Sequence, residues 1–360
     1  MGEVVGTKFL TTFSGTRVFV TGHTGFKGSW LAFLLKEIGA EVLGYALPPD
    51  QPSSHFELLG LARSIHHVEG DVRDGAKLAK TLFAFRPEYV FHLAAQALVR
   101  LSYAEPRATF ETNVMGSVNL LEAVRQCESV RSLIYITSDK CYENLEWVWG
   151  YRESDRLGGH DPYSASKAAA EIAFAAYTRS FFTHCPKLGA ATARAGNVIG
   201  GGDWAADRIV PDCIRSIREG QPIRLRNPDS TRPWQHVLEP LSGYLMLAAQ
   251  LRRSPAEYSG AWNFGPPVGE NRTVRQLAER IVARLGRGSV AIESGDPKQH
   301  ESRLLQLNCD KAQQLLGWRP RWTMEETLDT TADWYKAIMD GAEASAVTRR
   351  QLHAYFPELP

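Results

Sequence analysis

The 360-residue chain carries 41 basic and 40 acidic residues, a net charge of +1, and 44% hydrophobic residues. This composition predicts a globular protein and gives no overall field that would attract nucleic acid or an anionic membrane. Five scattered cysteines without CxxC spacing argue against a metal site or a disulfide framework and favour a reducing, cytoplasmic location. No apolar run approaches the roughly 20 residues of a membrane span, and the N-terminus lacks a signal-peptide pattern.

Short β-branched or aromatic runs alternate with amphipathic helical patterns in the first half of the chain. These runs are RVFVTG, EVLGYAL, YVFHLAA, SLIYITS and GAATARAGNV. The alternation predicts an α/β fold with a Rossmann-type, doubly wound parallel sheet. The pattern loses its regularity near residue 196. We therefore predict a Rossmann domain at 1–196, to which some later segments return, a smaller α/β substrate-binding lobe at 197–345 and a C-terminal tail at 346–360.

The turn after the first strand is rich in glycine. Gly22, Gly25 and Gly28 are spaced as GxxGxxG before an amphipathic helix. Such glycines let the backbone turn sharply and let a pyrophosphate approach the amides of a helix N-terminus. A glycine-rich connection without a ligand is the alternative, but the position of the turn favours a dinucleotide site. Lys27 opposes the helix dipole there, which suggests a bound anion, although a solvated lysine is also consistent with the pattern.

Residues at the ends of later strands also fit a dinucleotide site. Asp71 follows the third strand, where it could accept a hydrogen bond from an adenine amino group or simply cap a turn. Only Asp50 follows the second strand, several residues late for an adenosine ribose, and no arginine replaces it, so these residues favour NAD over NADP. The candidate cofactor contacts are Gly22, Thr24, Gly25, Phe26, Lys27, Gly28, Asp71, Val72, Leu93, Ala94, Ala95, Gln96, Tyr163 and Lys167.

The segment DPYSASKAAAEIAF places Tyr163 and Lys167 four residues apart at the start of a helix. This spacing stacks both side chains on one face, where the ammonium can lower the pKa of the phenol so that Tyr163 acts as a general base. A surface pair is the alternative. Ser138 at the end of the strand SLIYI, together with the glycine turn, favours an active site.

The glycine turn, Asp71, HLAAQ, Ser138, Tyr163-x-x-x-Lys167 and ARAGNVIG together resemble the extended short-chain dehydrogenase/reductase family over nearly the whole chain. The resemblance implies NAD as cofactor and a nucleotide sugar as substrate. It also implies that Ser138 orients the substrate hydroxyl, that Tyr163 removes its proton and that Lys167 holds the nicotinamide ribose. Family members commonly pair as homodimers, or as dimers of dimers, through the helix of Tyr163 and the helix near 115–127.

The same resemblance implies the substrate contacts. Arg232 in DSTRPWQHV matches an arginine that contacts the substrate pyrophosphate, and Asn197 matches a phosphate-contacting asparagine. The planar fork of Arg232 suits phosphate, although an exposed arginine is the commoner case. Glu301 and Arg303 resemble a nucleotide-contact segment, with an ordinary surface pair as an equal alternative. The candidate substrate contacts are Asn197, Arg208, Arg232, His236, Glu301 and Arg303.

Asp139 and Lys140 follow Ser138 in TSDKCY. Family epimerases generally lack a charged pair there, whereas a 4,6-dehydratase needs one more acid and one more base, so the pair favours dehydration. With GFKGSW, the pair resembles the family members that dehydrate CDP-glucose in deoxysugar and O-antigen biosynthesis. The alternatives are dehydration of dTDP-glucose, where Asp-Glu is usual, dehydration of UDP-N-acetylglucosamine, epimerisation, and a non-catalytic NAD-binding regulatory protein.

Asp139 and Lys140 also pose a chemical difficulty. A cationic Lys140 should lower the pKa of Asp139 and weaken it as a proton donor, and Lys140 can act as a base only when it is neutral. Our hypothesis is that Asp139 assists loss of the carbon 6 hydroxyl and that Lys140 manages the carbon 5 proton.

Overall fold

Seven parallel strands form the central sheet in a computed structural model that describes residues 7–49, 51–267, 269, 272–293 and 305–359. The described residues contain thirteen strands in all, which are β1 (Arg17–Thr21), β2 (Glu41–Ala46), β3 (His66–Glu69), β4 (Tyr89–His92), β5 (Ser132–Ile136), β6 (Gly189–Ala195), β7 (Val198–Ile199), β8 (Ile223–Leu225), β9 (Thr231–Arg232), β10 (Gln235–His236), β11 (Gly260–Phe264), β12 (Arg272–Thr273) and β13 (Val290–Ile292). The sheet order is β11-β6-β5-β4-β1-β2-β3, which confirms the predicted doubly wound fold. The order reverses beside β1, and open α/β sheets bind ligands at such a switch point.

Helices cover both faces of the sheet and build the second lobe. They are α1 (Phe26–Glu37), α2 (His55–Leu58), α3 (Gly75–Phe85), α4 (Val99–Ala104), α5 (Pro106–Phe110), α6 (Gly116–Gln126), α7 (Pro162–Ser180), α8 (Ile209–Arg218), α9 (Leu238–Arg253), α10 (Pro255–Tyr258), α11 (Val274–Leu285), α12 (Met324–Met339) and α13 (Ala344–Tyr355). Short 3-10 segments occur at Thr7–Phe13, Leu61–Arg63, Asp139–Cys141 and Phe182–His184. Single π-type turns occur at Glu111–Met115 and Ala312–Leu316. Within the described residues, no helix is both long and apolar enough to span a membrane.

Alternation along the strands explains how the sheet is packed. In β1, Val18 and Val20 join one buried cluster, while Phe19 joins the cluster on the opposite face. All residues of β5 and β6 are buried, as expected for central parallel strands covered on both faces. This packing fixes the carboxyl ends of β1, β4, β5 and β6 along one edge of the sheet, where Gly22, Leu93, Ser138 and Gly196 follow them.

Two later segments of the chain, β11 and α13, pack against the first domain or the core. β11 pairs with β6 in the main sheet. Within the segment predicted as a tail, α13 continues to Tyr355 and buries an apolar face. Its Thr348 hydroxyl lies 3.2 Å from Nε2 of His55 and accepts a hydrogen bond from Nε1 of Trp334 at 3.0 Å. The C-terminal segment therefore belongs to the core.

Candidate active site

The glycine turn folds tightly between β1 and α1. Gly22 has a φ of +74°, and a Cβ there would lie 2.6 Å from the main-chain nitrogen of Ala94. A Cβ on Gly28 would lie 2.1 Å from the carbonyl oxygen of Gly22. Both positions therefore require glycine. Gly25 is exposed, and a Cβ there would meet only the oxygen of Gly22, at 3.4 Å. The open side of the turn thus lies at the first amides of α1, which fits a dinucleotide pyrophosphate.

Several predicted cofactor contacts already have protein partners. The Asp71 carboxylate accepts hydrogen bonds from Nε and the main-chain nitrogen of Arg73, both at 2.8 Å, and these bonds hold the pKa of Asp71 below its ordinary value. The Thr24 hydroxyl donates to the carbonyl of Leu47 at 2.9 Å. Val72 is buried in the core. An adenine amino group that donates to Asp71 would therefore share the carboxylate with Arg73.

The segment 93–96 follows β4 and is half-buried. The main-chain nitrogen of Ala94 donates to Oγ1 of Thr21 at 3.2 Å, which joins this segment to β1. The Gln96 side chain donates to Oγ1 of Thr109 at 2.9 Å, so its amide shapes the segment from inside the protein. Ala95 and Leu93 complete the stretch. Contact between this segment and a cofactor stays a prediction.

The segment 138–141, named here the catalytic turn, follows β5. Ser138 and Asp139 are both buried, and Oγ of Ser138 donates to Oδ1 of Asp139 at 2.9 Å. Burial raises the pKa of Asp139, while the nearby Lys140 ammonium, the Ser138 hydroxyl and, more weakly, Lys27 oppose the rise. The net shift of the Asp139 pKa is upward, so the effect of burial is larger than the effect of the Lys140 ammonium. Asp139 therefore holds its proton more readily than an ordinary aspartate, which suits a proton donor.

Asp139 is held in place by a glycine distant in sequence. A Cβ on Gly196 would lie 2.1 Å from Oδ2 of Asp139, so only glycine leaves room for the carboxyl in this position. Both residues line a pocket whose other walls are largely apolar, formed by Pro233, the turn 265–267 and residues 305–307. The Asp139 carboxyl thus borders an enclosed space at the sheet edge.

Replacement of Gly196 by alanine is expected to displace the Asp139 carboxyl. Because misplacing a reacting group by about 1 Å can cost about 10²-fold in rate, turnover should fall by about that factor. Gly220→Ala is the control: Gly220 is exposed with open space around it, and because its φ of +67° strains alanine, this variant should lose stability without losing turnover. Steady-state rates and melting temperatures of both variants measure the effect. Full turnover by the Gly196 variant would contradict the placement.

The helix α7 begins at Pro162, and Oδ1 of Asp161 caps it by accepting from the main-chain nitrogen of Ser164 at 2.9 Å. Tyr163 and Lys167 both lie on its buried side. Burial raises the pKa of Tyr163 to about 12, although the Ser138 hydroxyl opposes the rise. The predicted lowering of this pKa by Lys167 is therefore wrong, because the effect of burial on Tyr163 is larger and upward. Burial also lowers the pKa of Lys167, to about 8.

Lys27 is the second residue of α1, and its ammonium interacts with groups beyond the glycine turn. Burial lowers its pKa to about 8, Arg208 adds to this effect, and Asp139 and Asp203 oppose it. Lys27 also lowers the pKa of Lys167. The predicted cofactor residue therefore faces the catalytic turn as well. Phe26, beside it, packs as a half-buried side chain against the core.

The predicted substrate residues occupy different surroundings. Nη1 of Arg208 donates to Oδ2 of Asp203 at 2.9 Å, and Arg208 also affects Tyr163 electrostatically, so it lies at the site. The carbonyl of Asn197 accepts a hydrogen bond from the main-chain nitrogen of Gln235 at 3.1 Å. Asn197 directly follows Gly196, the glycine that lies against Asp139. These two positions support the prediction of a substrate site at this edge.

Two other predicted substrate residues, Arg232 and His236, lie in different surroundings. Nη1 of Arg232 donates to the carbonyl of Thr231 at 2.8 Å, within β9. His236 is fully buried, and its ring packs against Trp322 with 4.7 Å between ring centroids. Burial lowers its pKa to about 3, so His236 is a neutral core residue. Three positions named from the sequence, Asp50, Glu301 and Arg303, lie outside the described residues.

Sequence reasoning missed the buried pair of Glu171 and Arg194, and it missed the role of Gly196. Signals for the pair were present: Glu171 comes four residues after Lys167 on the helical stripe, and Arg194 interrupts an otherwise small and apolar strand. A charge inside a buried strand requires a partner. The contact between Gly196 and Asp139 had no sequence signal beyond the glycine itself.

The comparisons with known proteins agree with this site. Residues 19–331 match the family described as GDP-mannose 4,6 dehydratase, and the chain belongs to this family. The predicted resemblance to extended short-chain dehydrogenases/reductases is confirmed.

Two named relatives and one solved structure match most of this chain. CDP-glucose 4,6-dehydratase of Salmonella typhimurium is 48% identical over 345 residues, which cover 95% of this chain and 96% of the relative. dTDP-glucose 4,6-dehydratase of Streptomyces antibioticus is 29% identical, with 89% of this chain and 92% of the relative covered. The structure of Thermus thermophilus UDP-glucose 4-epimerase complexed with NAD is 26% identical, with a TM-score of 0.73, and the match covers 89% of this chain and 99% of the epimerase.

Proposed function

We propose that the protein is an NAD-dependent 4,6-dehydratase that converts CDP-glucose to CDP-4-keto-6-deoxyglucose. The observation that carries this proposal is the buried Asp139 carboxyl with a raised pKa, next to Lys140 and facing Tyr163. An epimerase has no use for a second proton donor at this position. The predicted activity agrees with the name of the 48%-identical relative, and the predicted cofactor agrees with the NAD complex of the epimerase structure.

In the proposed reaction each residue of the site has one role. The glycine turn would hold NAD, which when bound would supply the acceptor for hydride from carbon 4 and the donor of hydride to carbon 6. Ser138 orients the carbon 4 hydroxyl, and the phenolate form of Tyr163 accepts its proton. The resulting ketone acidifies the proton on carbon 5, which Lys140 in its neutral form removes and later returns to carbon 5 when hydride reaches carbon 6. Asp139 donates a proton to the departing carbon 6 hydroxyl, which leaves as water, so one water is lost and no hydride is consumed.

Replacement of Lys140 by methionine is expected to slow dehydration by about 10²-fold or more, because general-base catalysis contributes about that factor. Oxidation at carbon 4 depends on Tyr163 and should persist. The measurement is deuterium uptake at carbon 5 from heavy water, together with the rate of water loss. Lys187→Met, at an exposed loop, is the matched control. Wild-type dehydration by the Lys140 variant would show that another group moves the carbon 5 proton.

The test of the proposed function is incubation of the purified protein with CDP-glucose, dTDP-glucose, UDP-N-acetylglucosamine and UDP-glucose, followed by mass spectrometry. Loss of one water from CDP-glucose, faster than from the other sugars, is the expected result. Faster water loss from another sugar would change the substrate assignment. Conversion without a change of mass would indicate an epimerase. No conversion of any sugar would favour an NAD-binding regulatory protein.

The proposal includes a homodimer, or a dimer of such dimers. Large apolar side chains are exposed on the helical layer formed by α4 to α7: Tyr103, Phe110, Met115 and Ile172. This layer contains the helix of Tyr163 and the helix near 115–127 that were expected to pair, and exposed apolar side chains on one layer support an interface. Cytoplasmic location and a role in O-antigen synthesis stay predictions.

A further inference from the structure

One buried ion pair is bonded to both flanks of the catalytic turn. Nε and Nη2 of Arg194 donate to the two carboxylate oxygens of Glu171 at 2.9 and 2.8 Å, and the two side chains are only 4% and 3% exposed. Thr137, directly before the turn, donates to Oε1 of Glu171 at 2.5 Å. Tyr142, directly after it, accepts from Nη1 of Arg194 at 2.7 Å. The two ends of the turn are therefore connected through the same pair.

The remaining polar atoms around the pair are also used. Thr192 of β6 donates to Oε2 of Glu171 at 2.9 Å, and the Tyr142 hydroxyl donates to Oδ1 of Asn263 in β11 at 2.7 Å. The Arg194 guanidinium lies over the ring of Tyr142, 4.9 Å from its centroid. A buried polar network with satisfied partners has few alternative arrangements, so it holds its members in one geometry.

The carboxylate of the pair comes from the helix that carries the other half of the site. Glu171 lies four residues after Lys167 and eight after Tyr163 on α7, so all three side chains lie on one helical stripe. A buried ion pair adds little stability compared with an apolar replacement of the same volume. Its presence here therefore calls for another role, and the bonds to both flanks of the turn indicate which one.

We propose that Glu171 and Arg194 are positioning residues that fix the catalytic turn relative to α7. The proposal builds on the proposed function, because dehydration requires Tyr163 at carbon 4 and Asp139 at carbon 6 of the same sugar. Tyr163 stands on the helix and Asp139 stands on the turn. The ion pair sets the distance between the two elements, and a shift of about 1 Å between them can cost about 10²-fold in rate.

Two threonines allow a matched test. Thr137 and Thr192 each donate one hydrogen bond to Glu171, both are buried, and only Thr137 adjoins the catalytic turn. Valine at either position keeps the shape and removes the bond. If the pair positions the turn, Thr137→Val should lower kcat by about 30-fold with little change in KM, while Thr192→Val stays within about threefold of the wild type.

The melting temperatures provide the stability control, because both variants lose one hydrogen bond to the same carboxylate and should lose similar stability. Thr137→Ser retains the hydroxyl and should restore most of kcat. Equal loss of kcat in the two valine variants would overturn the proposal, as would a loss at Thr137 that serine does not repair.

Failure of the proposed function can be told apart from failure of this inference. If the wild-type protein does not dehydrate CDP-glucose, the proposed function is wrong. Amide hydrogen exchange can still measure how firmly the catalytic turn is held. Thr137→Val should speed exchange of the amides at 138–142 by about tenfold over Thr192→Val, because one flank of the turn is released. Equal exchange of these amides in the two variants would show that the pair does not hold the turn.

Discussion

Replacement of Asp139 by asparagine is expected to lower the rate of water loss by about three orders of magnitude, within the range that general-acid catalysis contributes. Asparagine keeps the size and can still accept from Ser138, but it has no acidic proton for the departing hydroxyl. Burial raises the pKa of the wild-type carboxyl above its ordinary value, which favours the protonated form. Product formation under single-turnover conditions measures the loss.

The asparagine variant should also separate the early steps from the late one. Oxidation at carbon 4 and exchange of the carbon 5 proton precede departure of the hydroxyl, so deuterium uptake at carbon 5 from heavy water should continue. Asp229→Asn, at a largely exposed aspartate, controls for the change of charge. Water loss within about tenfold of the wild-type rate would mean that another group protonates the hydroxyl.

Replacement of Tyr163 by phenylalanine is expected to lower turnover by about 10³-fold or more, because the phenolate of Tyr163 is the group that accepts the proton of the carbon 4 hydroxyl. Burial raises the pKa of Tyr163 to about 12, so the phenol must lose its own proton before it can act as this base. Phenylalanine fills the same buried volume. The rate of keto-sugar formation measures the effect, with CDP-glucose affinity measured separately by calorimetry.

The tyrosine and aspartate variants should differ in their exchange behaviour. Loss of Tyr163 blocks the first step, so carbon 5 should take up no deuterium, whereas the Asp139 variant should take it up. Tyr244→Phe, at a buried tyrosine of α9, is the matched control. Carbon 5 exchange at the wild-type rate in the Tyr163 variant would exclude this tyrosine as the base.

The parts of the fold that local sequence determines were predictable. The apolar runs at β1, β5 and β6 have the length and burial expected of parallel strands, and the glycines after β1 form the expected turn. The site was predictable where its residues follow strand ends, as Ser138 and Asp139 do after β5. Parallel strands bring such ends to one edge, so chain position alone indicates their proximity.

The remaining features depend on distances through space that the sequence does not contain. Gly196 contacts Asp139 across 57 positions, and Arg194 reaches Glu171 across 23. The effect of Lys140 on Asp139 was predicted from adjacency alone, but the direction of the pKa shift is set by burial. Burial depends on every element packed around the turn, so a neighbouring charge is an incomplete guide to acidity.

The most direct test of the central claim is the fate of the hydrogen on carbon 4. CDP-glucose carrying deuterium at that carbon is converted by the enzyme, and the product is analysed by NMR and mass spectrometry. Internal hydride transfer predicts deuterium in the carbon 6 methyl group, loss of one water, and no net release of reduced cofactor. Deuterium found in free NADH, or a product of unchanged mass, would contradict the proposed function.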